Sequence, residues 1–86
     1  MNRWETGMLA KSLAGHDKNK IYVIADQDEM HVYLIDGNTK TSENKKKKKK
    51  IHAQLIKKKF DIDMADNASV RRVLIEYANR NEGGNI

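Results

Sequence analysis

A run of six consecutive lysines, residues 45–50, constrains the fold of this chain more than any other feature. Adjacent like charges repel one another and bury no apolar surface, so we expect the run to be a disordered or solvated loop when nothing is bound. The core must then come from the segments on either side of the run. Since the chain has 86 residues and only 38% of them are hydrophobic, a single small domain with a small core is expected.

The positive charge is concentrated around this run. Residues 40–59 contain ten lysines and one acid, Glu43, whereas the rest of the chain has seven basic and eleven acidic residues. A solubility run is one interpretation of such a segment. Because the rest of the chain is mildly acidic, the lysines create a directional field, and the binding of a polyanion is the simplest use for it.

The composition excludes several classes of protein. The chain has no cysteine, which excludes a disulfide scaffold, a cysteine nucleophile and cysteine-based zinc or iron–sulfur sites. Its longest apolar run is far shorter than a transmembrane helix requires, and no secretory signal or lipidation motif is visible. We therefore expect a cytoplasmic protein with no membrane partner.

Short apolar segments before and after the lysines predict strands. Residues 8–14, 21–25 and 31–35 read as three strands, and the last two form a hairpin that ends at the Asp36-Gly37 turn signal. Residues 51–62 resume with scattered apolar positions, and part of this segment is predicted to be a further strand or a 3₁₀ turn. The order favours a small β-barrel.

A helix is predicted at the end of the chain. Its apolar positions recur with helical spacing at Val70, Val73, Leu74, Tyr77 and Ala78. Asp66 or Asn67 is the expected N-cap, and Gly83-Gly84 ends the helix. The predicted organisation is a lead-in over residues 1–6, a barrel over 7–62 with a basic loop at 40–50, a helix over 66–82 and a flexible tail over 83–86.

The first half of the chain resembles the KOW motif, in which two short strands flank a polar loop with Gly, Asp and Lys. The matching residues are 7–24, followed by the Asp36-Gly37 turn, the lysine run and His52. Small bacterial KOW-domain RNA-binding proteins, and large-subunit ribosomal proteins of archaea and eukaryotes, show a similar order. Where the family usually has a glycine this chain has Asn19, the next most tolerant residue for a positive φ. The resemblance implies an SH3-like barrel with a C-terminal helix that binds structured RNA, chiefly ribosomal RNA.

The predicted RNA-binding residues lie in the first strand, the hairpin loop that follows it, the lysine run and the segment after the run. Gly15 lets the backbone approach a phosphate, and the cations contact phosphates, although a solvated face is an equal reading for Lys11. For Asp17 we favour turn formation. The full set is Lys11, Gly15, His16, Lys18, Lys20, Lys45, Lys46, Lys47, Lys48, Lys49, Lys50, His52, Lys57, Lys58 and Lys59.

The aromatic residues and the remaining acids give no sign of catalysis. Tyr22 and Tyr33 are expected in the barrel core, and Trp4 is either a lid on that core or a stacking residue. The acids at positions 61, 63 and 66 precede the helix, where capping is favoured over metal binding. We expect no enzyme, no cofactor and no metal, and a monomer when free. Alternatives to RNA binding are a protein-interaction module, as for some KOW domains of transcription factors, and a nonspecific polycation.

Overall fold

The computed structural model describes the backbone of residues 3–83 and the side chains of residues 3–80. It is mainly β with one C-terminal helix, which confirms the predicted fold class. Within these residues, five strands form one antiparallel sheet in the order β4-β3-β2-β1-β5. The strands are β1 (Met8–Ser12), β2 (Ile21–Gln27), β3 (His31–Ile35), β4 (Lys46–Lys49) and β5 (Ala53–Lys59), and the helix is α1 (Asn67–Gly83).

The two edge strands, β4 and β5, are joined only by a 3₁₀ turn, Lys50–His52. Three residues span little more than 10 Å, so the opposite edges of the sheet converge at this point and the sheet curls. Backbone hydrogen bonds hold the turn on both sides. Lys50 N donates to Met30 O at 2.8 Å, and Leu13 N donates to His52 O at 2.9 Å. The prediction of a strand or a 3₁₀ turn in residues 51–62 is confirmed, because both are present.

Alternation along the strands gives the sheet an apolar cluster on each face. The inner cluster lies inside the curl and consists of Ala10, Tyr22, Ile24, Val32, Leu34 and Ala53. Trp4 packs against it partly buried, in the position of a lid. The helix-side cluster consists of Leu9, Val23 and Ile35 from the sheet and Val70 from α1.

The helix packs on the sheet through the predicted apolar stripe. Val70 is fully buried, and Val73, Leu74 and Tyr77 pack around the helix-side cluster, whereas Ala78 is exposed. Asp66 is the N-cap: its Oδ1 accepts a hydrogen bond from Ala68 N at 3.2 Å. Gly83 is the last helical residue, while Gly84 and the rest of the predicted tail over 83–86 lie outside the described residues.

The lysine run was expected to be a loop, and this prediction is wrong for most of it. Lys46–Lys49 forms strand β4, which pairs with β3 in a register that places Lys46 opposite Leu34 and Lys48 opposite Val32. Lysine has a low intrinsic preference for strands, but backbone hydrogen bonds to β3 and the ion pairs described below outweigh that preference. Lysine is also a residue that proteins use to protect an edge strand from pairing with another chain.

The Asp36-Gly37 turn connects the sheet to the helix. Gly37 has a φ of +77°, and a Cβ there would lie 2.5 Å from Asn67 O, so only glycine fits. Arg71 Nη1 donates to Gly37 O at 2.6 Å. The turn is thereby fixed against the first turn of α1, and it holds Asp36 next to the start of β2.

Candidate nucleic-acid interface

The carboxylate of Asp17 joins the first hairpin loop to the lysine strand. Ser12 Oγ donates to Asp17 Oδ1 and Tyr22 Oη donates to Asp17 Oδ2, both at 2.8 Å. Lys46 Nζ and Lys48 Nζ each lie 3.3 Å from one of the two carboxylate oxygens. We call these five residues the Asp17 cluster; it brings together two basic segments that the sequence separates by about thirty positions.

The charges of the Asp17 cluster are stabilised by their surroundings. Burial raises the pKa of Asp17, but hydrogen bonds from Ser12, Tyr22, Lys48 and Lys46 outweigh this effect and hold its pKa well below the ordinary range. Burial, and then the hydrogen bond to Asp17, raise the pKa of Tyr22 above its ordinary value. Asp17 is therefore charged and Tyr22 is neutral near pH 7.

The four lysines of β4 alternate between two environments. Lys46 and Lys48 point to the inner side, where their side chains are 32% and 10% exposed. Lys47 and Lys49 point to the outer side and are exposed. Neither of these two forms a salt bridge with any residue whose side chain the structure describes.

The ends of the run make neutral contacts. Lys45 Nζ donates to Ser42 O at 2.7 Å, and Lys50 Nζ donates to Gln27 Oε1 at the same distance while lying 5.8 Å from the centre of the Trp4 ring. Because these partners are uncharged, they do not neutralise the positive charge of either lysine. We call residues 45–50 the basic ridge, because cations line both sides of an edge strand.

The first hairpin loop lies against the basic ridge. Its Asn19 has a φ of +76°, the positive value that the sequence predicted for this position, and Gly15 has a φ of +86°. Lys48 Nζ also donates to Ala14 O at 3.1 Å. His16 and Lys18 are exposed at the tip of the loop, next to Asp17.

Lys20 is engaged elsewhere. Its Nζ lies 2.6 Å from Asp36 Oδ2 and 5.1 Å from the centre of the Tyr22 ring. Burial raises the pKa of Asp36, but the hydrogen bonds from Lys20 and from the backbone N–H groups of Asn38 and Lys40 outweigh it and lower that pKa. Lys20 therefore stabilises the fold through its ion pair with Asp36 and also adds a positive charge next to the loop.

The remaining predicted site residues are spread over other surfaces. Lys11 borders a cleft of about 300 Å³ between β5 and the helix residue Tyr77, on the opposite face of the sheet from the Asp17 cluster. His52 is exposed in the 3₁₀ turn. The three lysines of β5 are exposed on the other edge strand: Lys59 lies 3.1 Å from Glu5, Lys58 lies over the ring of Phe60, and Lys57 has neither contact.

Tyr33 was expected in the barrel core, and this prediction is wrong. It pairs with Lys47 and is half-buried on the outer face, because Val32 and Leu34 take the two inward positions of β3. Its hydroxyl donates to Asp28 Oδ2 at 2.7 Å. This hydrogen bond is the main cause that lowers the pKa of Asp28 and raises that of Tyr33.

Sequence reasoning missed the link made by Asp17 and the outer position of Tyr33. The alternation of β3 contained the signal for Tyr33, since Val32 and Leu34 share a face that Tyr33 cannot share. No local signal identified the partners of Asp17. Of the acids before the helix, Asp66 is the N-cap, and Asp63 Oδ1 accepts from Ala65 N at 3.0 Å in the turn that precedes the helix. No metal-binding group of acids or histidines occurs in the described part of the chain.

No family model matches the chain, and no curated protein does so either. Within residues 3–83, no helix has the length and apolar character needed to cross a bilayer.

Proposed function

We propose that this chain is an RNA-binding module that contacts the phosphates of structured RNA through the basic ridge and the first hairpin loop. One observation carries the proposal: the lysine run is an ordered edge strand that Asp17 ties to the loop bearing His16 and Lys18. Only three of the ten lysines in residues 40–59 form a salt bridge within the described part of the chain, namely Lys46, Lys48 and Lys59.

The ordered strand favours binding because it lowers the entropic cost of contact. A disordered lysine tail must lose conformational freedom when it meets a phosphate backbone, whereas the lysines of β4 already have a fixed backbone. Lysine acts as a point charge without the planar fork of arginine, so the ridge positions an RNA rather than reading its sequence. Shape and phosphate recognition of folded RNA fit such a surface.

The resemblance to KOW proteins directs the choice of RNA. It supports ribosomal RNA as the target, and the SH3-like barrel implied by that resemblance agrees with a curled five-stranded sheet. Crosslinking in cells followed by sequencing tests this choice. A sharp peak on one ribosomal RNA helix is the expected result, and a diffuse signal over all RNA would favour the nonspecific polycation instead.

Fluorescence anisotropy with a labelled RNA duplex tests the binding itself. If about four lysines displace counterions, the slope of log K against log salt is near −4. The double variant K47Q/K49Q should reduce that slope by about 2 and weaken binding at least tenfold, because both side chains are exposed and have no acidic partner among residues 3–80.

The matched control is R72Q/R80Q, which removes two positive charges from the exposed surface of α1. It should leave the affinity nearly unchanged. Equal losses in both double variants would mean that net charge alone drives binding. Affinity with a slope near zero, or no RNA affinity, would overturn the proposal in favour of a protein-interaction module.

A further inference from the structure

Three side chains of different chemistry form one row across the outer face of the sheet. Asp26 of β2 pairs with Tyr33 of β3, and Tyr33 pairs in turn with Lys47 of β4. Directly opposed side chains on neighbouring antiparallel strands have Cβ atoms about 5 Å apart. The row therefore presents a hydrogen-bond acceptor, an aromatic ring and a cation in sequence, over roughly 10 Å.

A β-bulge produces this alignment. The register of β2 against β3 shifts between Ile24 and Asp26, which leaves Ala25 without an opposite residue. Ile24 points to the inner cluster, whereas Ala25 packs against the helix-side cluster on the outer face, and the bulge keeps Asp26 on that same outer face beside Tyr33. With regular alternation instead of the bulge, Asp26 would point to the inner face, away from the ring.

The ring of Tyr33 is held in place at its far end. Its hydroxyl donates to Asp28 Oδ2 at 2.7 Å, and the other oxygen of Asp28 accepts from His31 N at 2.7 Å and Met30 N at 3.0 Å. Asp28 is thus anchored to the β2–β3 turn. A ring fixed in this way loses little conformational entropy when a ligand stacks on it.

The helix leaves this row uncovered. Ile35, two residues beyond Tyr33 on the same face, belongs to the helix-side cluster, whereas Tyr33 belongs to neither apolar cluster of the described residues. The next row on this face pairs His31 with Lys49. Cations therefore line the β4 side of the ring, and carboxylates line the β2 side.

We propose that this row binds one unpaired guanine nucleotide of the RNA. The base stacks on Tyr33, its phosphates lie against Lys47 and Lys49, and its N1–H and N2–H donors face the carboxylate of Asp26. Unpaired bases are recognised in this way by stacking and by hydrogen bonds to their Watson–Crick edge. A carboxylate accepts two parallel donors, which guanine offers and uracil does not.

The polarity of the row sets the orientation of the nucleotide. Phosphates are repelled by Asp26 and Asp28 and attracted by the two exposed lysines, so the backbone runs along β4 and the base points toward β2. This inference rests on the proposed RNA binding and adds a position of base specificity to it. The basic ridge supplies the affinity for the backbone, and the row selects where an unpaired guanine sits.

The test uses the full chain and two labelled RNA duplexes that differ by one unpaired guanosine. We expect the bulged duplex to bind about tenfold more tightly, because stacking of one base on an aromatic side chain has that magnitude. Inosine, which lacks the N2 amino group, should reduce the preference at the bulge, and uridine should reduce it further. A fluorescent purine analogue at the bulge should be quenched on binding to the unaltered protein, which reports stacking without any substitution.

Three variants test whether the row causes this preference. Tyr33→Leu should abolish the preference for the bulge while the affinity for the plain duplex is retained. Tyr33→Phe should keep most of the preference, because the ring remains and only its hydrogen bond to Asp28 is lost. Asp26→Ala should make guanosine and inosine equivalent. RNA binding with equal affinity for both duplexes and no quenching would overturn the inference while leaving the proposed function in place. Absence of binding to either duplex would overturn both.

Discussion

The two sides of strand β4 carry the same residue type, lysine, but have different roles. Lys46 and Lys48 face inward and contact Asp17, whereas Lys47 and Lys49 face outward and are exposed. The inner pair holds the first hairpin loop to the sheet, and the outer pair is available to a ligand. The face of the strand to which a lysine points therefore determines its role, because side chains alternate between the two faces. The number of lysines in the run does not show this.

The largest expected effect comes from removing the carboxylate of Asp17, which both inward-facing lysines of β4 contact. Asp17→Ala leaves Lys46 and Lys48 without their acidic partner, and Lys48 is only 10% exposed. Loss of one member of a buried ion pair costs about 3 kcal/mol, which for a domain of this size lowers the Tm by about 15 °C. Thermal unfolding followed by circular dichroism measures the shift, and a change below about 3 °C would contradict the role given to the cluster.

The second prediction sets the two sides of β4 against each other. Lys48→Met should lower the free energy of unfolding by about 1–2 kcal/mol, because it removes contacts to Asp17 and to the Ala14 carbonyl. K47Q/K49Q should change that free energy by less than about 0.5 kcal/mol, as exposed substitutions do. Denaturant titrations of both give the comparison, and RNA affinity should show the reverse order. Similar free energies of unfolding for Lys48→Met and K47Q/K49Q would mean that the inner and outer lysines of β4 do not differ in their contribution to stability.

The third prediction concerns pH. The folded-state pKa values of Asp17 and Asp36 are lowered, so their contribution to stability is present above the ordinary carboxyl pKa of about 4 and is lost as the pH falls below it. The pKa of Tyr22 is raised, so its contribution is present at neutral pH and is lost as the pH rises above about 10. The free energy of unfolding, measured as a function of pH, should fall at acidic pH and at alkaline pH. Asp17→Asn should make the decrease at acidic pH smaller.

The smallest effect concerns the loop that carries Asp17. Asn19 has a φ of +76°, so Asn19→Ala should cost about 1 kcal/mol, whereas Asn19→Gly should be close to neutral. The matched pair separates backbone strain from loss of the side chain. If both variants lost equal stability, the asparagine side chain rather than its conformation would be the stabilising feature.

Much of the fold could be predicted because its signals are local. β-branched and aromatic residues mark β2 and β3, the spacing of Val70, Val73, Leu74 and Tyr77 marks the helix, and Asp36-Gly37 marks the turn. Strand β4 could not be predicted in this way. A run of identical residues has no periodicity, so the face to which each lysine points depends on its register with β3, a contact distant in sequence.

The same reason limits prediction of the site. The sequence identified the basic segments and the asparagine of the first loop, which adopts the expected positive φ. It did not show that Asp17 joins the loop to β4, or that a bulge places Asp26 beside Tyr33. Both features arise from strand pairing, so they exist only once the sheet has formed.

The pairing of β1 with β5 has a consequence for the order in which the protein folds during synthesis. Of the five strands described, β1 is synthesised before the others, yet one of its two neighbours in the sheet, β5, is synthesised after them, and Val70 of the helix follows later still. Contacts between distant segments slow folding, because a long loop must close before they form. The lysine run therefore precedes, in order of synthesis, the strand that completes the sheet around β1, the strand from which the loop of Asp17 extends.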